Sequence, residues 1–424
     1  MTADAGRAAG PSVPDDAELG GSAVRDDAGG SEPGAPRRVA VAGGANVLPV
    51  LIGVAVIAII FQLLNDRFLS TGNLVNLFVQ ASVFMLIGMG EVFVLLLGEI
   101  DLSLGYVAGI GGVIVTELVQ ARTGWPWWSA VATALLATGA IGFLQGSLVT
   151  RLRLPSFVVT LAGLLGWQGA MIIILGTGGT IPIPNATITG IANGTLPPLG
   201  GWALAGAVVA GYAAMTIGGD AKRRATGIAA PRRSTTVLKV LGVAVAAVAI
   251  ALLTNADRGV GRYTLRGMPY VIPLVFAVLL LWSTVLTRTR FGRYVYAIGG
   301  NAEAARRAGI ALGWVRTLAF TFAGTTAGVG GIVYASRLRS MSTSFDGGTI
   351  VLYVVATAVI GGTSLFGGRG HPLHAVLGGV VIAAIVNGMA LLGLSAAIQL
   401  IATAIVLLAS IFVDVVIRRR GAAG

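Results

Sequence analysis

Apolar stretches long enough to cross a bilayer recur along almost the whole chain, near 47–64, 74–97, 104–120, 127–149, 156–176, 201–217, 237–254, 270–287, 315–335, 349–366, 372–393 and 396–417. A helical span needs about 20 apolar residues. The pattern therefore predicts an all-α, polytopic integral membrane protein with about 10–12 transmembrane helices. Composition agrees, since 55% of residues are hydrophobic and 11% charged, against roughly 25% charged in a soluble domain. Twelve spans leave short loops and one tail, so no large extramembrane catalytic domain fits. The 63 glycines suit closely packed membrane helices, where small side chains let backbones approach. With two histidines and no cysteine, zinc sites built on thiolates and disulfide frameworks are excluded.

Residues 1–46 differ from the rest. They carry seven acids (Asp4, Asp15, Asp16, Glu18, Asp26, Asp27, Glu32), four arginines and many Gly, Ala and Pro, without hydrophobic periodicity. This composition predicts a disordered tail. No apolar signal core precedes residue 47 and no small-residue cleavage site follows the first span, so the tail is expected to stay attached. The remainder, 47–418, reads as one transmembrane domain. Positive loops are retained in the cytoplasm. Placing the N-terminus inside puts twenty Lys and Arg next to or between the spans on the cytoplasmic side, including Arg151, Arg153, Lys222 to Arg224, Arg288 to Arg316 and Arg418 to Arg420, against seven outside. Both termini are then cytoplasmic, and loop 177–200, which has no charge, is extracytoplasmic. The net charge of +12 reflects this orientation toward anionic lipid rather than nucleic-acid binding.

Few residues can carry chemistry. Glu91 is the acid most clearly inside a span, where a carboxylate costs several kcal/mol and is turned inward. It fits either a pathway or gate role or a side chain satisfied by a neighbouring amide or backbone NH. Glu99, Asp101 and Ser103 lie between Gly98 and Gly105, where helix propensity breaks. Irregular backbone at membrane depth is tolerated only inside protein or beside a water-filled cavity, so Glu91, Glu99, Asp101 and Ser103 are the candidates for a translocation pathway. Asp101 and Ser103 also read as an N-cap pair for the helix beginning near 104. The run Gly98 to Gly105 and the run Gly361 to Gly368 each end a span and are each followed by two spans and a basic cluster, the pattern of a duplicated half.

In the charged segment 288–315, Gly299-Gly300-Asn301 predicts a turn with a cap, and Ala302 to Ala308 a two-turn helix. Glu303 stands in its first turn, Arg306 and Arg307 in its last, and Gly309 takes the left-handed exit. Such a short helix needs packing to persist, and its alanines, Ala304 and Ala305 among them, offer a partner a face. His371 and His374 resemble a metal or catalytic pair only in spacing, with no acid near. Gln80, Gln145, Gln168, Asn387 and Gln399 suit interhelical hydrogen bonds, and Trp125, Trp127 and Trp128 an interfacial anchor. The only lysines, Lys222 and Lys239, complete no P-loop, so the chain is not itself an ATPase of that kind. Two other readings of these residues are an ion-coupled transporter with Glu91 or Asp101 as the proton or sodium site, and a membrane-embedded enzyme using His371 or His374.

Four runs together resemble the membrane permeases of sugar-importing ATP-binding cassette transporters of the ribose/xylose type: GEIDLSLG (98–105), LPSFVVTL (154–161), TRFGRYVYAIGGNAEAARRAGI (289–310) and GGTSLFGGRG (361–370). The resemblance covers about 45–418, and the additional spans around 201–254 are closest to the longer, xylose-type members. Glu99 stands where that family usually has Gly. The resemblance implies a permease that moves a monosaccharide without a cofactor, works as a homodimer with the solute path between copies, and requires a cytoplasmic ATP-binding subunit and an extracytoplasmic sugar-binding protein. It also implies that Gly299, Gly300, Asn301, Glu303, Ala304, Ala305 and Gly309 belong to the element that docks on the ATP-binding subunit.

Overall fold

A computed structural model of the chain describes residues 47–176, 179–227, 229–259, 264–405, 408 and 412. The tail 1–46 and the basic cluster Arg418 to Arg420 lie outside the described residues. Each expected apolar segment falls on a helix as far as it is described, the last, 396–417, through Ile405. The helices are α1 (Val47–Leu64), α2 (Thr71–Leu96), α3 (Leu104–Leu118), α4 (Trp127–Arg151), α5 (Ser156–Leu175), α6 (Ala186–Asn193), α7 (Pro198–Ala225), α8 (Arg233–Asn255), α9 (Val271–Arg288), α10 (Arg290–Gly300), α11 (Ala302–Arg307), α12 (Leu312–Leu338), α13 (Gly347–Ile360), α14 (Pro372–Leu391) and α15 (Ala396–Ile405). Eight of them are long and apolar enough to cross a membrane, and α1, α3, α13 and α15 are shorter apolar helices. The chain is a multi-pass membrane protein.

Where the helices differ from the expectation, the backbone gives the reason. The segment predicted to run to 366 stops at Ile360, because Gly362, Gly367 and Gly368 adopt positive φ (112°, 82° and 72°), a region glycine enters without steric cost. Segment 177–200 is no plain loop. Strand β1 (Thr180–Pro182) opens it, and β2 (Thr195–Leu196) closes it. They pair antiparallel with β4 (Ser340–Ser342) and β3 (Met268–Pro269), in registers Ile181 to Met341 and Thr195 to Pro269. Between them lies α6, whose first NH groups at Thr187 and Ile188 donate to Asn185 Oδ1 (3.0 and 3.1 Å). Ser336 near the end of α12 accepts from Ala192 N at 2.9 Å, and Asn193 Nδ2 donates to Ser336 O at 2.6 Å. These bonds hold α6 on the bundle end.

Helices α2, α3, α12, α13 and α14 form the interior, and α7 and α8 form a hairpin that buries few of its side chains. Backbone approach is the packing device. A Cβ on Gly331 would stand 1.7 Å from Ala108 O, one on Gly105 1.9 Å from Gly347 O, and one on Gly378 1.8 Å from Thr357 O. Only residues without a side chain permit these crossings. Gly90 lies against Ala323 and Ile87 against Gly330, so α2 and α12 run antiparallel. α2 packs most extensively on α12 and α14, and α12 on α4 and α2. Matching α2–α4 with α12–α14 exchanges these pairs, and the same matching exchanges the pairs α2–α13 and α3–α12. The duplication in the packing therefore differs from the one expected from the two glycine runs. Those runs are not equivalent places but neighbours, since a Cβ on Gly367 would stand 2.9 Å from Gly98 N.

Candidate functional site: a buried acid cluster beside an interhelical junction

Helix α2 ends because Gly98 (φ 76°) takes the left-handed conformation after the C-cap, with Gly98 N donating to Leu95 O and Glu99 N to Val94 O (2.9 and 3.2 Å). The chain then runs unwound to Ser103. Asp101 Oδ1 accepts from Ser103 N at 2.9 Å and from the Ser103 hydroxyl at 2.6 Å. Gln145 Nε2 of α4 donates to Ser103 Oγ at 2.9 Å, and the Thr160 hydroxyl of α5 reaches Ile100 O at 3.3 Å. Glu91, one turn before the end of α2, accepts from Asp101 N at 3.3 Å.

Glu91, Asp101 and Ser103 are all 0% exposed, and Gln145 is 2% exposed. One oxygen of each acid, Glu91 Oε2 and Asp101 Oδ2, has no hydrogen-bond partner. Among the described residues, none of the ion pairs reaches either acid. The expected N-cap pair is not formed: Asp101 takes the NH of Ser103, which precedes the helix, and the Ser103 side chain is spent on Asp101 and Gln145. Glu99 leaves this cluster and pairs with Arg316 Nε of α12 at 3.4 Å.

The segment after α9 folds into two helices rather than one. Residues Arg290–Gly300 form α10, which burial of Gly292, Val295 and Ile298 fixes against the bundle. The spacing Phe291, Val295, Ile298 carried this amphipathic signal in the sequence. Gly299 and Gly300 are therefore not a turn; they are the last residues of α10. Gly299 is required by proximity, because a Cβ there would lie 1.8 Å from Leu96 O and 2.5 Å from Gly368 N, while one on Gly300 meets nothing within 4 Å. Gly368 N donates to Leu96 O at 2.9 Å. Tyr296 OH donates to Gly370 O at 2.8 Å; burial pushes its phenol up to about 12, so the donor persists at neutral pH.

Asn301, in extended conformation, caps α11 by accepting from Ala304 N at 2.9 Å. Glu303 accepts from Arg306 (3.0 and 2.9 Å) and Arg307 (3.1 Å), and these hydrogen bonds hold its carboxyl below the usual range. Gly309 (φ 82°) ends the helix, with its NH on Arg306 O and that of Ile310 on Ala305 O. Capping, charge order and glycine exit are as expected. Of the alanines, Ala305 is 5% exposed and packs into the chain's own core, so it lies off the exposed side of the helix. Glu303, Ala304, Arg306, Arg307 and Ala308 form the open side.

The structure thus brings the four sequence runs together. The ends of α2 and α10 and the loop 361–371 touch backbone to backbone, and α5 reaches the same loop after α2. Arg316, Tyr296 and Gln145 complete the junction; only Gln145 stood out in the sequence, as an interhelical amide. His371 Nδ1 accepts from Leu373 N at 3.2 Å and caps α14, and His374 Nδ1 lies 3.2 Å from the Thr363 hydroxyl. Asn387 accepts from Asn73 Nδ2 across α2 and α14 (2.8 Å), while the Gln399 side chain donates to Leu394 O nearby. Among the described residues no group of three His, Cys, Asp or Glu is placed to hold a metal.

This multi-pass bundle, with an unwound polar turn between its helices and a short helix set on it, is that of a membrane permease. The chain belongs to the family described as the permease component of the branched-chain amino acid transport system, which matches residues 73–411. It is 32% identical over 383 residues to the xylose transport system permease protein of Escherichia coli strain K12, covering 88% of this chain and 93% of that one. The Haemophilus influenzae xylose transport system permease protein is 34% identical over 378 residues, covering 86% and 95%. The ribose import permease protein of Escherichia coli strain K12 is 28% identical over 364 residues, covering 86% and 92%. No solved structure matches.

Proposed function

We propose that this chain is the permease subunit of an ATP-binding cassette importer that moves a monosaccharide, a pentose such as xylose, across the bacterial plasma membrane. The observation that carries the reading is the likeness to xylose permeases along nearly the full length of both chains. The subunit is not an enzyme: ATP hydrolysis belongs to a separate cytoplasmic subunit, and an extracytoplasmic sugar-binding protein delivers the solute. Two copies flank the path, and both termini are cytoplasmic. Reconstituted with those two partners, the chain should accumulate xylose only when ATP is supplied inside the ATP-binding face. Uptake driven by an ion gradient alone would overturn the reading.

Transport proceeds by alternating access, in which ATP binding to the partner favours one of two states through its different affinity for them. The exposed side of α11 meets the partner, and α10 passes the displacement to the end of α2 because Gly299 rests on Leu96 O. Ala305→Asp places a charge on the buried side of α11, where desolvation is costly. The expected outcome is retained insertion, at least tenfold less transport, about one 1.4 kcal/mol step in the measured coupling, and weaker co-purification of the ATP-binding subunit. Wild-type ATPase stimulation in that variant would make α11 a plain connection.

Glu91, Asp101 and Ser103 bound the path by fixing the turn after α2, and Glu99 with Arg316 ties that turn to α12. Glu91→Gln keeps an acceptor for Asp101 N and removes the ionisable carboxyl. Uptake should fall severalfold with assembly intact; full uptake from mildly acidic to mildly alkaline pH would deny the carboxyl any transport role. For orientation, a cysteine at Thr187 in this cysteine-free chain should react with an impermeant thiol reagent added to intact cells, and one at Thr226 should not. The reverse labelling would invert the topology.

A further inference from the structure

At the bundle end that carries α6 there is a cavity of about 390 Å³ that the transport reading leaves unused. Gly72, Val75, Asn76 and Val79 supply one wall, and their spacing is that of a single helix face. Asn193, Arg258, Leu265 and Arg337 complete it. The hydrogen bonds that Ala192 N and Asn193 Nδ2 donate to Ser336, seating α6 on α12, also set Arg337 beside the cavity. Arg258 is pinned through its two terminal nitrogens to Thr254 O and Gly267 O, both uncharged acceptors. Arg337 is partly buried and has no hydrogen-bond or ion-pair partner among the described residues. No acid lines the cavity. The neighbouring Asp257 is turned to Gly259 N, Leu265 N (3.0 and 3.1 Å) and Arg266, and the adjoining residues 260–263, Val-Gly-Arg-Tyr, contain no acid.

Two guanidinium groups that line one partly apolar cavity each lose hydration there, a cost that a doubly accepting anion removes. Asp257 offsets part of the Arg258 charge, whereas a neutral sugar would leave Arg337 without a counter-charge. The wall of α2 reaches from Gly72 to Val79, roughly 10 Å into the helix by its rise per residue, and Leu265 and Leu338 stand half exposed at the rim (49% and 48%). A ligand with a phosphate head and an apolar body meets both surfaces. We propose that this cavity binds a phosphate group through Arg258 and Arg337, in the form carried by an anionic phospholipid at the membrane surface.

The test uses the purified full chain, stripped of lipid in a neutral detergent, with thermal unfolding and native mass spectrometry as readouts. Short-chain phosphatidylglycerol should raise the unfolding midpoint and remain bound, phosphatidylcholine should do so less, and Arg337→Gln should weaken phosphatidylglycerol binding about fivefold, the scale of one basic contact at a membrane surface. Arg337→Lys should keep most of the affinity, which separates loss of charge from loss of fold, and Arg67→Gln, outside the cavity, should behave as wild type. Saturable stabilisation by inorganic phosphate alone, abolished in Arg337→Gln, would retain the phosphate site and assign it to the free ion. Absence of binding by both probes, or equal binding by wild type and Arg337→Gln, overturns the proposal. So does an Arg337→Gln variant that binds lipid normally but no longer captures the sugar-binding protein, which would make the cavity a socket for a protein carboxylate.

Discussion

Alanine at Gly299 should cut transport by more than tenfold while leaving the chain inserted in the membrane. The new methyl would stand 1.8 Å from Leu96 O and 2.5 Å from Gly368 N, the acceptor and donor of a bond 2.9 Å long. Neither is a side-chain end that can rotate away. Overpacking of this kind costs about 1–3 kcal/mol, and here it falls on the junction that joins α10 to α2. Gly300→Ala is the matched control, because its Cβ meets nothing within 4 Å and Ala favours helix over Gly by about 1 kcal/mol. Measured together in vesicles with the ATP-binding subunit, the two variants should separate cleanly: Gly299→Ala loses solute-stimulated ATP hydrolysis and Gly300→Ala keeps it. Equal activity would mean that the contact at Gly299 transmits nothing.

The second large effect is on assembly of the bundle. In Gly331→Val the Cβ would sit 1.7 Å from Ala108 O and 2.5 Å from the carbonyl carbon, so α3 and α12 cannot keep their crossing. Three heavy atoms at a backbone contact should cost at least about 3 kcal/mol, the upper end of the overpacking range, and the detergent-purified variant should unfold many degrees below wild type or aggregate. Gly211→Val on α7 adds the same side chain where nothing lies within 4 Å. Its unfolding midpoint should stay close to wild type. A Gly331→Val variant as stable as Gly211→Val would refute the close crossing.

Apolar length made every long helix legible, including α7, whose expected core 201–217 lies within Pro198–Ala225. The helix α11 was legible to within a residue because its stops are local: an Asn cap, ordered charges and a glycine exit. What stayed hidden depends on distant partners. Strand β1 exists only through pairing with β4 (Ser340–Ser342), and α6 is held by Ser336, about 145 positions away along the chain, a separation no local pattern records. Gly299 read as a turn because glycine followed by glycine and asparagine is a turn signal, whereas its real constraint is a carbonyl in α2. The acids at 91 and 101 were visible as costly residues, but their meeting through the backbone NH of Asp101 follows from the tertiary path of the unwound turn.

The exchanged packing of the two helix sets has a consequence during synthesis. Helix α4 leaves the ribosome about 160 residues before α12, the helix it packs on most, and at about 5–20 residues per second the wait is on the order of 10–30 s. For α2 and its later partner α14 the gap is about 275 residues and the wait longer still. Through that interval the glycine-lined surfaces of the early helices have no protein to meet, and the bilayer does not expel them, since lipid tails are as apolar as the missing neighbours. Early helices must therefore be shielded or kept from pairing with one another, and slowing or hastening translation between residues 152 and 311 should change the yield of folded chain more than the same change made after α14.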